Sequence, residues 1–169
     1  NGRIIVSAHS SNLARIQQVL NAAHQNDRKV AMIGHDVEKI VRTAIKLDKL
    51  HLPADDIFVD VKEINNLKDD QIVILQTGRS GEPLKSLQKM ALGRHRSVKL
   101  HQGDLVLITS TPSPARETNV ARTRDMIFRS GATVKTVADD LNLSGHASRN
   151  DLQLMFNLLK PKYVIPVQG

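Results

Sequence analysis

The chain contains no cysteine, which excludes disulfides and thiolate metal ligation and agrees with a cytoplasmic location. It contains no tryptophan either, and its rings are limited to Phe58, Phe128, Phe156 and Tyr163. A platform that stacks successive bases needs more rings than this, so stacking is not expected to be the main mode of nucleic-acid recognition. No apolar run approaches the ~18 residues that a membrane span requires. No charged-then-apolar leader opens the sequence. It starts abruptly on strand-like Arg3-Ile4-Ile5-Val6 and reads as an excised piece of something longer.

A hydrophobic fraction of 40% over 169 residues suits one globular domain with a core of its own. The formal net charge of +7 is unevenly placed. Residues 1–78 balance ten Lys/Arg against ten Asp/Glu, whereas residues 79–169 set fourteen against seven and so carry the whole excess. A basic second half favours a polyanion-facing surface, because each Lys or Arg near a phosphate releases a condensed counterion. Solubility alone is the other reading of the same charge.

Apolar runs alternate with helical patterns. Ile4-Ile5-Val6 leads into Leu13, Ile16, Gln17, Leu20 and Ala23, whose spacing gives one helix face, with Asn12 as its N-cap. Lys29 to Ile33 reads as a second strand, followed by a helix with Val37, Ile40, Val41, Ala44 and Leu47 on one side. The stretch from Leu52 to Asp70 is irregular and polar around a short Ile57-Phe58-Val59 run. Ile72 to Leu75 is a continuous apolar strand of the kind buried on both faces of a parallel sheet. Leu84 to Leu92 forms a helix between Pro83 and Gly93. Leu105 to Ile108 is another apolar strand, Val120 to Phe128 a helix stopped by Gly131, and Val134 to Val137 a strand. A last helix, about Arg149 to Leu159, turns Leu152, Met155, Phe156 and Leu159 inward and ends at Lys160-Pro161 before a strand at Tyr163-Val164-Ile165. The alternation implies an α/β fold, an open and mainly parallel sheet sandwiched by helices in the flavodoxin or Rossmann manner.

Ligands of such sheets gather at the carboxyl ends of the strands. Thr77-Gly78-Arg79-Ser80-Gly81-Glu82-Pro83 follows the third long strand and offers backbone N–H groups and Arg79 to an anion. It is not a Walker loop, since the Lys-Ser/Thr ending is missing, and a tight turn with a helix cap explains it equally well. Thr109-Ser110-Thr111-Pro112-Ser113-Pro114-Ala115-Arg116-Glu117, stiffened by two prolines, fits a structural loop better than a site. Leu143-Ser144-Gly145-His146-Ala147-Ser148 sets a histidine ahead of a helix, where it can donate to a phosphate oxygen or serve as an acid. An inert surface histidine is the plainer alternative. His9, His24, His35, His51, His95 and His101 show no ligand spacing, so no complete metal site is expected in this chain.

Taken in order, these segments resemble the ribonuclease J family over essentially the whole chain. The likeness is densest in Thr77-Gly78-Arg79-Ser80-Gly81-Glu82-Pro83, in Ser144-Gly145-His146-Ala147 and in Leu158 to Val167. It implies a metallo-β-lactamase nuclease interrupted by a β-CASP domain. Residues 1–169 would be that single β-CASP domain, with about 162–169 leading back into a β-lactamase domain absent from the chain. By resemblance, two zinc or manganese ions sit in the β-lactamase domain on His-x-His-x-Asp-His, a motif this sequence lacks, and no cofactor is expected in the fragment itself. His146 matches the family's histidine near the scissile phosphate, within a phosphate-holding Ser144-Gly145-His146-Ala147-Ser148 loop. Thr77, Gly78, Arg79, Ser80 and Gly81 match a second phosphate or RNA contact.

The chain departs from the family at three places. Gln168 stands where the family has a metal-binding histidine in Pro-Val-His-Gly, and an amide is a poor substitute for imidazole at such a centre. Thr77-Gly78-Arg79-Ser80-Gly81 replaces Thr-Gly-Ser-Gln-Gly, and Pro112 to Glu117 replaces Pro-Ile-Pro-Gly-Asn-Glu. These departures resemble a second, degenerate paralogue that supports an active one. The implied partners are RNA, the chain's own β-lactamase domain, and either further copies or the catalytic paralogue, with no membrane involved. Arg79, Arg94 and Arg96 are expected to line an RNA channel. Two other readings remain open at this level: part of a fully active metal-dependent 5′-to-3′ exonuclease or endonuclease, or a free-standing α/β domain for a phosphorylated ligand.

Overall fold

A computed structural model describes residues 2–78, 82–109, 117–136 and 149–165. Strands β1 (Ile4–His9), β2 (Lys29–Ile33), β3 (Phe58–Val59), β4 (Ile72–Gly78), β5 (Leu105–Ile108) and β6 (Thr133–Thr136) form one open sheet in the order β3-β2-β4-β1-β5-β6. Every pairing in it is parallel, so the expected α/β class holds. The helices are α1 (Leu13–Gln25), α2 (Val37–Lys46), α3 (Glu82–Ala91), α4 (Glu117–Arg129) and α5 (Arg149–Leu159). Two 3₁₀ turns, Val61–Asn66 and Asp69–Gln71, order much of the polar stretch before β4.

The strand that reads as continuously apolar is central, and all seven of its residues are buried. Its side chains alternate between two cores, as a pleated strand requires. Ile72 and Ile74 meet Leu84, Leu87 and Met90 of α3 and Val120 and Ile127 of α4 on one face. Val73 and Leu75 meet Ile16, Leu20 and Ala23 of α1 and Val37, Val41 and Ala44 of α2 on the other. Asn12 caps α1 as its sequence position implies, its Oδ1 accepting the Arg15 N–H at 3.0 Å. Gly93 (φ 67°) and Gly131 (φ 84°) end α3 and α4 in the left-handed region, where a glycine costs nothing sterically.

Three expectations fail. Leu47 does not join the apolar side of α2. The helix ends at Lys46 and Asp48 turns to φ 55°, so Leu47 is left largely exposed before it can reach the sheet. Leu152, Met155, Phe156 and Leu159 do not point inward, for they are 42–67% exposed and α5 buries none of its residues. Its amphipathic pattern is real, but no element among the described residues packs on it, so pattern alone did not give the address of the stripe. The strand expected at Tyr163-Val164-Ile165 is also absent, and all three side chains are exposed. A β-favouring run needs a neighbouring strand to complete its ladder, and none of the six adopts it. Val137, the expected end of β6, lies outside the described residues.

Candidate nucleic-acid interface

The strand order reverses between two neighbours, and this positions the site. β1 and β4 pair in register from Ile4↔Val73 to His9↔Gly78, yet α1 follows β1 onto one face of the sheet and α3 follows β4 onto the other. The two chains therefore part at their carboxyl ends and open a crevice, the place where ligands of open parallel sheets bind.

Hydrogen bonds tie the rim of this crevice together. The Ser10 N–H donates to the Gly78 carbonyl at 3.2 Å. On the other side of β1, both the N–H and the hydroxyl of Thr109 donate to the Ser7 carbonyl at 3.0 Å. Below, the buried Ser7 hydroxyl donates to Gln76 Oε1 at 3.2 Å, and Gln76 Nε2 donates to the Thr77 carbonyl at 3.1 Å. The ends of β1, β4 and β5 are thus held from their neighbours, which is how a rigid scaffold presents a binding loop.

Two glycines let neighbouring segments pack closely against the Thr77–Gly78 end of β4. A Cβ at Gly78 would lie 2.9 Å from Glu82 Cβ and 3.1 Å from Pro83 Cδ, so only glycine lets the first turn of α3 fold back against the end of β4. At Gly34, just after β2, φ is +145° and a Cβ would collide with the Thr77 carbonyl oxygen. The Thr77 hydroxyl is buried without a hydrogen-bond partner. A buried orphan hydroxyl is costly and marks a place where an acceptor or donor is missing.

The crest also carries groups that sequence reasoning missed. His9 is exposed at the end of β1. Its Nδ1 lies 2.9 Å from the Ser11 hydroxyl and accepts the Ser11 N–H at 3.4 Å, which leaves Nε2 as the outward donor of the neutral ring. No motif announces His9, but its place immediately after an apolar strand is the signal that the carboxyl-end rule could have used.

Of the sequence-predicted contacts, Thr77 and Gly78 stand on this crest. Arg79, Ser80, Gly81, Ser144, Gly145, His146, Ala147, Ser148 and Gln168 lie outside the described residues. Arg94 and Arg96 do not share a surface with the crest. Helix α3 carries the chain about 15 Å along the sheet at 1.5 Å per residue, so both arginines stand at the amino ends of the strands. A single channel lined by Arg94, Arg96 and the Thr77–Gly78 end is therefore not what the fold builds. Among the described residues no three His, Asp or Glu side chains come together to hold a metal. No helix among them is long and apolar enough to cross a membrane.

In open parallel sheets of this order, ligands bind at the carboxyl ends of the strands beside such a reversal. The family model described as the ribonuclease J β-CASP domain matches residues 1–127. A second, described as the RNA specificity domain of Zn-dependent metallo-hydrolases, matches residues 131–169. The chain belongs to the ribonuclease J family, a family of metallo-hydrolases. It is similar, more particularly, to proteins named ribonuclease J 2. That of Streptococcus pyogenes serotype M3 is 49% identical over the whole of this chain and 31% of its own length. That of Bacillus subtilis is 40% identical over 99% of the chain and 30% of its own length. That of Staphylococcus aureus (strain NCTC 8325) is 36% identical over the same shares. The chain thus spans about 30% of the length of the curated relatives it matches.

Proposed function

We propose that this chain is the RNA-gripping part of a ribonuclease J-type protein of RNA processing and decay, and that the parent is a weakly active or inactive copy supporting a catalytic one. The observation that carries the RNA reading is the placement of Thr77 and Gly78 at the β1/β4 reversal, in a chain of this family. Phosphate contacts fix a strand's register without reading its sequence. The crest offers groups such contacts use: His9 Nε2 and the unpartnered Thr77 hydroxyl. Arg79, Ser80, Gly81 and the Ser144-Gly145-His146-Ala147-Ser148 segment complete the phosphate cradle in this reading, with His146 nearest the scissile phosphate.

Gln168 supports the second half of the proposal. Zinc or manganese at the parent's centre would lose one imidazole ligand there, and a neutral amide does not make up the loss. The exposed apolar stripe of α5 and the run at Tyr163-Val164-Ile165 fit a chain that leads back into a β-lactamase domain, which would cover both. Partners of the parent in this reading are RNA and the catalytic paralogue or further copies of itself, in the cytoplasm.

Hydrogen exchange of the full-length protein with and without 5′-monophosphorylated RNA tests the site. Slower exchange in peptides spanning residues 9–13 and 76–84 is expected. Protection that spares both would contradict it.

A further inference from the structure

The amino ends of the strands carry a second basic feature. An open basin of about 400 Å³ lies there, walled in part by Arg3 ahead of β1, Asp69 ahead of β4, and His95, Arg96, Lys99 and His101 ahead of β5. Residues 93–103 hold Arg94, Arg96 and Lys99 and no acidic residue. None of those three cations has an ion-pair partner among the described residues. Arg3 is already matched by Asp104 beneath the floor, and Asp69 is the one carboxylate on the wall.

The segment carrying these cations is anchored. Val98 and Leu100 are buried, which turns Lys99 and His101 outward. The Leu100 N–H donates to the Met90 carbonyl at 3.1 Å, Arg3 donates to the Lys99 carbonyl at 2.8 Å, and the His101 N–H donates to Asp104 Oδ2 at 3.0 Å. The His95 ring is fixed as well, since its Nδ1 accepts from the Ser97 and Val98 N–H groups at 3.2 Å each. In its neutral form the ring therefore presents Nε2–H as a positioned donor. A backbone and an imidazole donor held in place before a ligand arrives lose less entropy on binding it. The basin offers no exposed apolar anchor of the kind a protein hot spot needs, which favours a phosphate backbone over an acidic peptide.

We propose that this basin is a second RNA-backbone contact, at the opposite end of the sheet from the crest, engaged only by a single strand long enough to reach past the crest. The inference rests on RNA being the ligand of this family member. It places a basic contact from residues 93–103 at the end of the sheet opposite the crest.

The test is salt-dependent anisotropy of the full-length protein with two labelled single-stranded RNAs, a 5′-monophosphorylated tetranucleotide and one of about 30 nucleotides. Arg96→Gln/Lys99→Gln replaces two exposed side chains that make no hydrogen bond among the described residues. For the long RNA it should flatten the slope of log Kd against log salt by about 1.4, roughly 0.7 for each phosphate contact removed. The tetranucleotide should bind as before. An unchanged slope and affinity for the long RNA overturns the basin, and so does an equal loss for both RNAs. If wild-type protein binds neither RNA, the RNA reading falls with it. If Thr77→Val weakens the tetranucleotide while the basin variant changes nothing, only the basin falls. Inorganic phosphate supplies the last arm: thermal stabilisation by phosphate that the variant loses, with long-RNA binding intact, identifies a small-anion site instead.

Discussion

The guanidinium of Arg3 forks onto the carboxylate of Asp104, with Nε 2.9 Å from one oxygen and Nη2 2.7 Å from the other, across 101 residues of sequence. The pair fastens the start of β1 to the start of β5. Both side chains are almost wholly buried, at 6% and 0% exposure. Removing one partner leaves the other charge buried and unpaired, which costs about 3–5 kcal/mol. Asp104→Ala is expected to lower the unfolding free energy by an amount of that order, read from denaturant unfolding curves. It should also loosen the segment at Lys99 and His101, because the same carboxylate accepts the His101 N–H. An unfolding curve like that of the wild type would mean that the pair contributes little to the fold.

Gly34 and Gly103 separate two reasons for needing glycine. Both have positive φ, but a Cβ at Gly103 meets nothing within 4 Å, whereas one at Gly34 runs into Thr77. Gly103→Ala should cost only the backbone strain, about 1–2 kcal/mol. Gly34→Ala should cost more and should also disturb RNA binding, because the collision is with the strand end that forms the crest. Thermal melts of the two variants with an RNA titration of each decide the matter, and equal losses would contradict it.

Thr77→Val is expected to separate stability from binding. Its hydroxyl is buried and unpaired, so the isosteric change should leave the melting temperature unchanged or raise stability by about 1 kcal/mol. If that hydroxyl bonds a phosphate oxygen in the complex, a short 5′-monophosphorylated oligonucleotide should bind about fivefold more weakly, the worth of one neutral hydrogen bond. Equal affinity would remove Thr77 from the list of contacts.

His95 gives the fold an acid-sensitive point. Burial, with Lys89 beside it, holds its imidazole below the usual histidine range. Protonation would also turn Nδ1, the acceptor for Ser97 and Val98, into a donor facing two donors. The folded state binds this proton less readily than the unfolded one. The stabilising contribution is therefore present above the unfolded value near pH 6.5 and is lost as pH falls through it towards the folded value. Melts between pH 8 and pH 5 should show a steeper loss for the wild type than for His95→Gln, and parallel profiles would contradict the assignment.

Much of the sheet was legible because its residues follow simple periods. The span Leu105–Ile108 matches β5, and Lys29–Ile33 matches β2, since apolar runs bounded by polar turns leave little choice. Ile16, Leu20 and Ala23 fall on the buried face of α1 for the same reason. Helix α5 shows the limit of this logic: a stripe at Leu152, Met155, Phe156 and Leu159 says that something covers it, not what. Charge was legible as a count and illegible as a place. Arg94 and Arg96 are close in sequence to the strand that carries Thr77, yet one helix of intervening chain moves them to the other end of the sheet. His9 and Ser10 meet Gly78 through the pairing of β1 with β4, a contact across about 70 residues that no local pattern encodes, although the place of His9 after an apolar strand is readable.

The most direct test of the degenerate-partner account is manganese-dependent degradation of 5′-monophosphorylated RNA by the full-length protein beside its Gln168→His variant. The account predicts a nearly silent wild type and a variant that gains activity as the missing imidazole returns to the metal centre. Robust degradation by the wild type would contradict it and make the protein a working nuclease that tolerates glutamine at that position.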